Sequence, residues 1–558
     1  MSNSENRIIL NRREALLLAA AGGIGAALAR PAAASDSTKT DVHQEPGFCS
    51  TPKSAVANTQ YGKVRGFVSG DVFTFKGIPY GQTTAGENRW LPAKAPVPWK
   101  DEYPALIYGG NCPQNLHNWT GLEQVFIQDW DDGYISEDML KLNIWTPSLS
   151  GKRAVMFYIH GGGFAGGSSY ELPSHEGAQM ARHHDVVQIS VNHRLNALGF
   201  LDVSEIGGPE FADSVNLGLT DLVVALRWVR DNIANFGGDP DRVTIYGQSG
   251  GGYKVAYLLG MPSAKGLFHR AIIQSGGNGT PPTVEQSRAI AKQMMVELGL
   301  QPNDIVGLQK TEWSKLMAAS SAAAGKVGLP HQSGPVPSAN TTPRVTWGAA
   351  VDGRIVTMNS LIDSSPEVSK DVPLMVGSVS EEGNRMISHP TETEWLATLT
   401  SQFGEAKATA LVAAMKKAHP EKSIRTLSYG VTGLTWRNSV LRILKLKHAQ
   451  KAAPVFAYYF TWQSPMLEDA GAWHTADLQF CFDNTKRCAQ GTGNTPEAQA
   501  LAKKMATAWA NFARTGNPSQ PGLTWEPADP DRFQNMVWNN ECRMVDDPDG
   551  EARKILEN

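Results

Sequence analysis

"IYGQSGGGYK" (residues 245–254) sets one serine among four glycines directly after an alternating aliphatic run. A glycine inside a regular element costs roughly 0.5–1 kcal/mol relative to alanine, so a cluster of them answers a geometric need. Gly/Ser clusters are ordinarily surface turns. The flanks argue otherwise here. Residues 242–246 (RVTIY) form a short β-branched and aromatic run that reads as a strand. Tyr253, Ala256, Tyr257 and the Leu258-Leu259 pair recur at helical spacing. Gly247, Ser249 and Gly251 then spell G-x-S-x-G on a strand-to-helix turn so tight that side chains two places from the serine would collide. Such a turn lifts the serine oxygen clear of the sheet and presents it as a nucleophile.

A second glycine run, "VMFYIHGGGFAGGSS" (155–169), also leaves a strand. Residues 155–159 are too continuously apolar for a half-exposed strand and read as a central one, buried on both faces. In the following His160-Gly161-Gly162-Gly163, unhindered amides can converge on one point and receive a developing negative charge. A phosphate cradle is the other use of such a loop, but no G-K-[ST] follows and no G-x-G-x-x-G opens a helix. An HGGG-type loop and the amide after the nucleophile together form an oxyanion hole, so the two glycine clusters serve one oxyanion. Further strands at 185–191, 373–377 and 455–462 alternate with helical spacing over 216–236. That alternation predicts an α/β protein with a mostly parallel sheet, its site at the carboxyl ends of the strands. Residues 391–450 read as a mainly helical insertion over the sheet and 499–514 as a closing amphipathic helix.

Serine needs a base oriented by a carboxylate, and in this fold the chain order is serine, acid, histidine. Of thirteen histidines, His419, His448 and His474 lie late enough. His419 and His448 sit among lysines on polar helical segments and read as solvated. His474, in "GAWHTADLQFCF", follows the 455–462 strand by one loop and is the candidate base. The bland alternative is a hydrogen-bonded loop histidine. For the acid, "GSVSEEGNR" offers both Glu381 and Glu382, and spacing does not separate them.

The 558 residues carry a formal charge of −3, and no basic patch interleaves with aromatics, which argues against a nucleic-acid partner. No repeat, linker or charge run divides the middle, so residues 59–558 read as one catalytic domain behind an irregular leader at 35–58. Residues 1–34 read as a cleaved twin-arginine-type signal: Arg12-Arg13, a mild apolar run at 15–28 too short and too rich in glycine and alanine to span a bilayer, then Ala32-Ala33-Ala34. This predicts a periplasmic or secreted protein without a stable membrane anchor. Cys49, Cys112, Cys481, Cys488 and Cys542 make an odd count, match no zinc spacing and read as structural, with at most two disulfides. No metal or organic cofactor is implied.

From about Thr59 to Asp547 the chain resembles the type-B carboxylesterase family, the esterase and cholinesterase group of α/β-hydrolases. The likeness rests on "FKGIPYG" (75–81), "SEDMLKLNIWTP" (136–147), "HGGGFAGGS" (160–168), "SVNHRLNALGFL" (190–201), "NLGLTDLVVALRWVRDNIANFGGDPDRVTIYGQSGGG" (216–252) and the His474 segment, in order. The resemblance implies an α/β-hydrolase fold, hydrolysis of small-molecule carboxylic esters, and a catalytic triad of Ser249, Glu382 and His474. It also implies an oxyanion hole from the amides of Gly162, Gly163 and Gly250, and internal ion pairs of Arg89 with Glu137 and Arg194 with Asp221.

The chain departs from the family pattern at four places. Gly250 stands where alanine is common, which would keep the amide but loosen it. Gln248 replaces a frequent glutamate. Met139 occupies the place of a cysteine in many animal members, leaving Cys112 without that partner. Trp130, beside Asp129, Asp131 and Asp132, lies one residue off the family's cation-binding tryptophan and reads as part of an exposed acidic loop. A specialised lactone or carbamate esterase is the rival within this chemistry. A non-catalytic binding module is the rival outside it, and would lack the nucleophile that is present here.

Overall fold

The computed structural model describes residues 47–114, 128–131, 133–277, 282–327, 347–383 and 390–557. The expected signal at 1–34 lies outside the described residues. Pro46–Asn558 forms one compact unit. Its strands are β1 (Phe48–Cys49), β2 (Val56–Thr59), β3 (Gly62–Arg65), β4 (Phe67–Ser69), β5 (Val72–Pro79), β6 (Tyr103–Pro104), β7 (Lys141–Thr146) and β8 (Arg153–Ile159). They continue as β9 (Val187–Val191), β10 (Gly238–Gln248), β11 (Arg270–Gln274), β12 (Leu374–Val379), β13 (Val455–Phe460), β14 (Gln534–Trp538) and β15 (Arg543–Asp546).

Among the described residues twelve strands form one sheet in the order β1-β4-β5-β7-β9-β8-β10-β11-β12-β13-β14-β15. Every pairing from β9 to β14 is parallel. The antiparallel pairings lie toward the two edges. This is the α/β-hydrolase architecture, and the alternation of apolar residues explains it. Val155, Phe157 and Ile159 of β8 enter one core cluster. Ala154, Met156 and Tyr158 of the same strand enter the other. A period of two that is apolar at every position buries both faces, as parallel sheets covered by helices require.

The helix Leu217–Asn232 covers one face, its Leu219, Leu222, Leu226 and Val229 in the first cluster. The helix Pro496–Thr515 covers the other with Leu501, Met505, Trp509 and Phe512. Thr495 starts it by accepting the Ala498 N–H at 3.2 Å, and Gly516 ends it in the left-handed conformation. The insertion comprises the helices Glu392–Phe403, Glu405–Ala418 and Ile424–Ala449. The first two close a small core of their own with Leu427 and Val431 of the third. Further along the third helix, Val440, Ile443 and Leu444 enter the main core and anchor the insertion.

The leader expected to be irregular over 35–58 departs from that reading where it is described. β1 pairs with β4, and β2 pairs with β3 in a separate three-stranded sheet. Such pairing satisfies backbone groups that an edge would otherwise leave open. The two ion pairs are present: Arg89 Nε reaches Glu137 at 2.6 Å, and Arg194 holds both Asp221 oxygens at 2.8 and 2.6 Å. Arg194 and Asp221 are fully buried, and their charges are satisfied by this forked geometry. All five cysteines are free. Cys112 instead accepts the Leu195 N–H at 3.2 Å, and burial pushes its thiol up.

Candidate active site

Ser249 sits between the end of β10 and the helix Gly250–Gly260, with φ 56° and ψ −123°. A non-glycine residue in such a conformation stores on the order of 1–3 kcal/mol of strain. The turn is held by the Ser249 N–H donating to the Gln274 carbonyl at 2.8 Å and the Tyr253 N–H donating to the Ser249 carbonyl at 3.1 Å. The turn also dictates its glycines, since a Cβ on Gly247 would meet the Gly251 carbonyl carbon at 2.5 Å.

The end of β8 delivers the second cluster to the same place. β8 and β10 are in register with Ile159 opposite Gly247, so His160-Gly161 departs beside Gln248-Ser249. A Cβ on Gly161 would stand 3.5 Å from the Ser249 Cβ. Gly162 and Gly163 have φ of +79° and +64°, which favours glycine at both. Gly250 lies against Gly163 so closely that an added Cβ would be 2.5 Å from the Gly163 nitrogen and 2.1 Å from its oxygen. The missing side chain of Gly250 is what lets the two backbones approach. Gly163 thus lies against Gly250, the residue after Ser249, and Gly161 lies against Ser249 itself.

The acid and base come from the ends of the next strands. Residues 380–382 follow β12, and His474 follows the loop after β13. A one-residue parallel bridge joins Glu381 to Trp473, and the Glu381 N–H donates to the Ala472 carbonyl at 3.1 Å. The next residue on each side is Glu382 and His474, whose Nδ1–H donates to the Glu382 carboxylate. Glu382 Oε1 is fixed by the Val379 N–H at 3.1 Å, and its side chain is fully buried. Glu381 turns elsewhere, to Lys422 at 2.8 Å and the Ala472 N–H at 2.7 Å. The two glutamates that spacing left open thus have separate roles, and Glu382 is the one on the histidine.

Several partners of this corner were not legible in the sequence. The Gln248 amide nitrogen stands 3.2 Å from His474 Nε2 and 3.4 Å from Nδ1, tying the residue before Ser249 to the imidazole. Gln128 donates to the His474 carbonyl at 3.4 Å and to the Thr475 hydroxyl. The Trp436 ring, from the insertion, lies 5.5 Å from the His474 ring. Asp477 is buried beneath them and accepts from Tyr458 OH at 2.7 Å and Gln274 Nε2 at 2.9 Å. Desolvation pushes its carboxyl up to about 6, against those hydrogen bonds and with help from the nearby Glu382 charge. Trp130 is half-buried against the second core cluster while Asp129 and Asp131 are exposed; Asp132 lies outside the described residues. Among the described residues no group of three or more histidine, cysteine, aspartate or glutamate side chains is arranged to hold a metal ion.

A buried carboxylate on Nδ1–H leaves Nε2 as the lone-pair nitrogen of the ring, within reach of the Gln248 amide just before Ser249. Comparisons with known proteins give the family of the chain. Residues 53–552 match the model of the carboxylesterase family. The chain is 30% identical over 510 residues to the para-nitrobenzyl esterase of Bacillus subtilis (strain 168), covering 90% of this chain and 98% of that one. It is 33% identical over 492 residues to the phenmedipham hydrolase of Pseudarthrobacter oxydans, covering 84% and 91%. Among solved structures, an esterase from the anaerobe Clostridium hathewayi, described as able to hydrolyse aliphatic aromatic polyesters, superposes with a TM-score of 0.75 at 33% identity, covering 92% of this chain and 99% of that chain. A structure of para-nitrobenzyl esterase gives 0.73 at 28% identity, covering 90% and 99%.

Proposed function

The chain belongs to the carboxylesterase family, a carboxylic ester hydrolase with the α/β-hydrolase fold, and on that premise we propose that it cleaves its substrate through an acyl-enzyme on Ser249. Ser249 Oγ attacks the ester carbonyl while His474 Nε2 takes its proton. Negative charge developing on the carbonyl oxygen is received by the amides of Gly162, Gly163 and Gly250. The imidazolium then returns the proton to the leaving alcohol. Water, activated by the same histidine, releases the carboxylic acid and restores the serine. Glu382 holds His474 in the tautomer that keeps Nε2 basic and stabilises the imidazolium when it forms.

The observation that carries this reading is the Glu382–His474 hydrogen bond, buried at the ends of β12 and β13 beside the turn that carries Ser249. Ser249→Ala is expected to abolish hydrolysis of a p-nitrophenyl ester and covalent labelling by an organophosphate, with an unchanged thermal melt. Retained turnover would remove the reading.

The substrate belongs, on the same reading, to small esters of the kind named for the relatives, para-nitrobenzyl esters among them. Export is also proposed, on the strength of Arg12-Arg13, the apolar run at 15–28 and Ala32-Ala33-Ala34. Fractionation of cells carrying the native chain and an Arg12→Lys, Arg13→Lys double variant tests it. Native protein confined to the cytoplasm would refute export.

A further inference from the structure

Lys254 lies five residues after Ser249 on the helix that begins at the nucleophile, and it is wholly buried. A lysine out of water is costly unless something uses its charge. Its Nζ donates to the His160 carbonyl at 3.4 Å and stands 5.4 Å from the centre of the Phe164 ring. Those are the residues immediately before and after Gly161-Gly162-Gly163. One ammonium therefore touches both ends of the loop whose amides face Ser249.

Among the described residues around it, Lys254 is the group that supplies positive charge. His160 and His193 are buried with rings 4.8 Å apart, and desolvation together with the Lys254 charge pushes both well below the ordinary histidine range, so they stay neutral. The group that favours the protonated lysine is the Glu171 carboxylate, since burial keeps the Cys112 thiol neutral. Glu171 is itself tied to the loop, its Oε2 accepting the Ser168 N–H at 2.9 Å.

We propose that Lys254 is a positioning residue for ester hydrolysis: held between the His160 carbonyl and the Phe164 ring, its ammonium fixes the Gly161–Gly163 amides and sets a positive charge behind them. The inference rests on the reading of Gly162, Gly163 and Gly250 as the oxyanion donors. A cation behind those amides stabilises charge that exists only as the acyl oxygen becomes an anion, so it acts on kcat and leaves binding of the neutral ester alone. Desolvation, opposed by Glu171, brings the Lys254 amine down to about 7. The contribution is therefore present in acid and fades as pH rises through neutrality.

Lys254→Met and Lys254→Arg test this with p-nitrophenyl acetate, by kcat and KM between about pH 6 and about pH 9 and by a thermal melt. Lys254→Met should lose on the order of tenfold in kcat at the acid end with KM unchanged, less than the ~10²–10³ of a direct donor. The ratio of native to variant kcat should shrink as pH rises, and Lys254→Arg should recover part of the loss. A folded Lys254→Met with native kcat at every pH overturns the proposal, as does a loss that does not change with pH. If Lys254→Met does not fold, Glu171→Gln decides: removing that carboxylate must move the alkaline decline of kcat to lower pH, and an unmoved decline overturns the proposal. Ser249→Ala measured alongside separates the two layers, since turnover without Ser249 sinks the site itself, whatever Lys254 does.

Discussion

Glu381 and Trp473 face each other in a single parallel bridge, and that one pairing sets Glu382 beside His474. Extended backbone sends neighbouring side chains to opposite sides. Glu382 therefore points to the imidazole, while Glu381 points to Lys422 and the Ala472 N–H. One carboxylate serves the chemistry, and its neighbour clamps the two loops that bring the chemistry together.

The two glutamates should separate cleanly under the same substitution. Glu382→Gln replaces the carboxylate that fixes the His474 tautomer with an amide that can also donate, and is expected to lower kcat by roughly 10³–10⁴ while the protein still folds. Glu381→Gln leaves the largely buried Lys422 ammonium without its counter-charge and should cost about 3–5 kcal/mol of stability. Its kcat per folded molecule should stay within an order of magnitude of native. Steady-state assays paired with thermal melts check both halves, and equal kinetic losses in the two variants would contradict the assignment.

Gly250→Ala introduces the residue common in the family at this position, yet here it should be damaging. The new Cβ would lie 2.1 Å from the Gly163 oxygen, against backbone that can yield only by moving the loop. A displaced oxyanion loop predicts a fall of ~10²–10³ in kcat/KM with the melting temperature little changed. Native activity in this variant would show that the corner relaxes freely.

Most of the fold was legible because its signals are local and repeated. β8 and β10 alternate apolar side chains into two cores, and the helices Leu217–Asn232 and Pro496–Thr515 keep one apolar stripe. Ser249 and the glycine loop were legible because their backbone geometry admits few residue types. Glu381 and Glu382 were not separable by spacing, since the deciding contact, Trp473, lies more than ninety residues away in the chain. Lys254 was hidden inside an apolar helix, where a lone lysine shows its use only once the His160 carbonyl is placed against it. The short strand at 48–49 carries no pattern and exists because β4 offers it an edge.

Gln248→Glu should move the pH profile. The Gln248 amide faces His474 Nε2 at 3.2 Å, so a carboxylate there favours the imidazolium and raises the histidine pKa. The base works only when neutral, and the acid limb of kcat/KM is expected to shift upward by about one pH unit. At acidic pH the variant is then slower, and at alkaline pH it approaches native. A profile unmoved on the acid side would mean that Gln248 does not report on the imidazole.

The C-terminal segment should carry an acid-sensitive part of the stability. Asp549 is nearly buried and accepts from His419 Nε2 at 2.7 Å and Tyr459 OH at 2.9 Å. Burial alone would raise its carboxyl, but the His419 hydrogen bond and charge, the Arg437 charge and Tyr459 outweigh it and hold it down at about 2. A carboxyl whose folded value lies below its unfolded value of about 4 stabilises the protein above that unfolded value and loses the contribution as pH falls through the folded one. The shift corresponds to about 2 kcal/mol at neutral pH. Asp549→Asn should therefore lower the urea midpoint at pH 7, and the gap from native should narrow as the pH is taken from about 4 toward about 2. A gap that stays constant over that interval would mean the loss comes from packing of Asp549 and not from its charge.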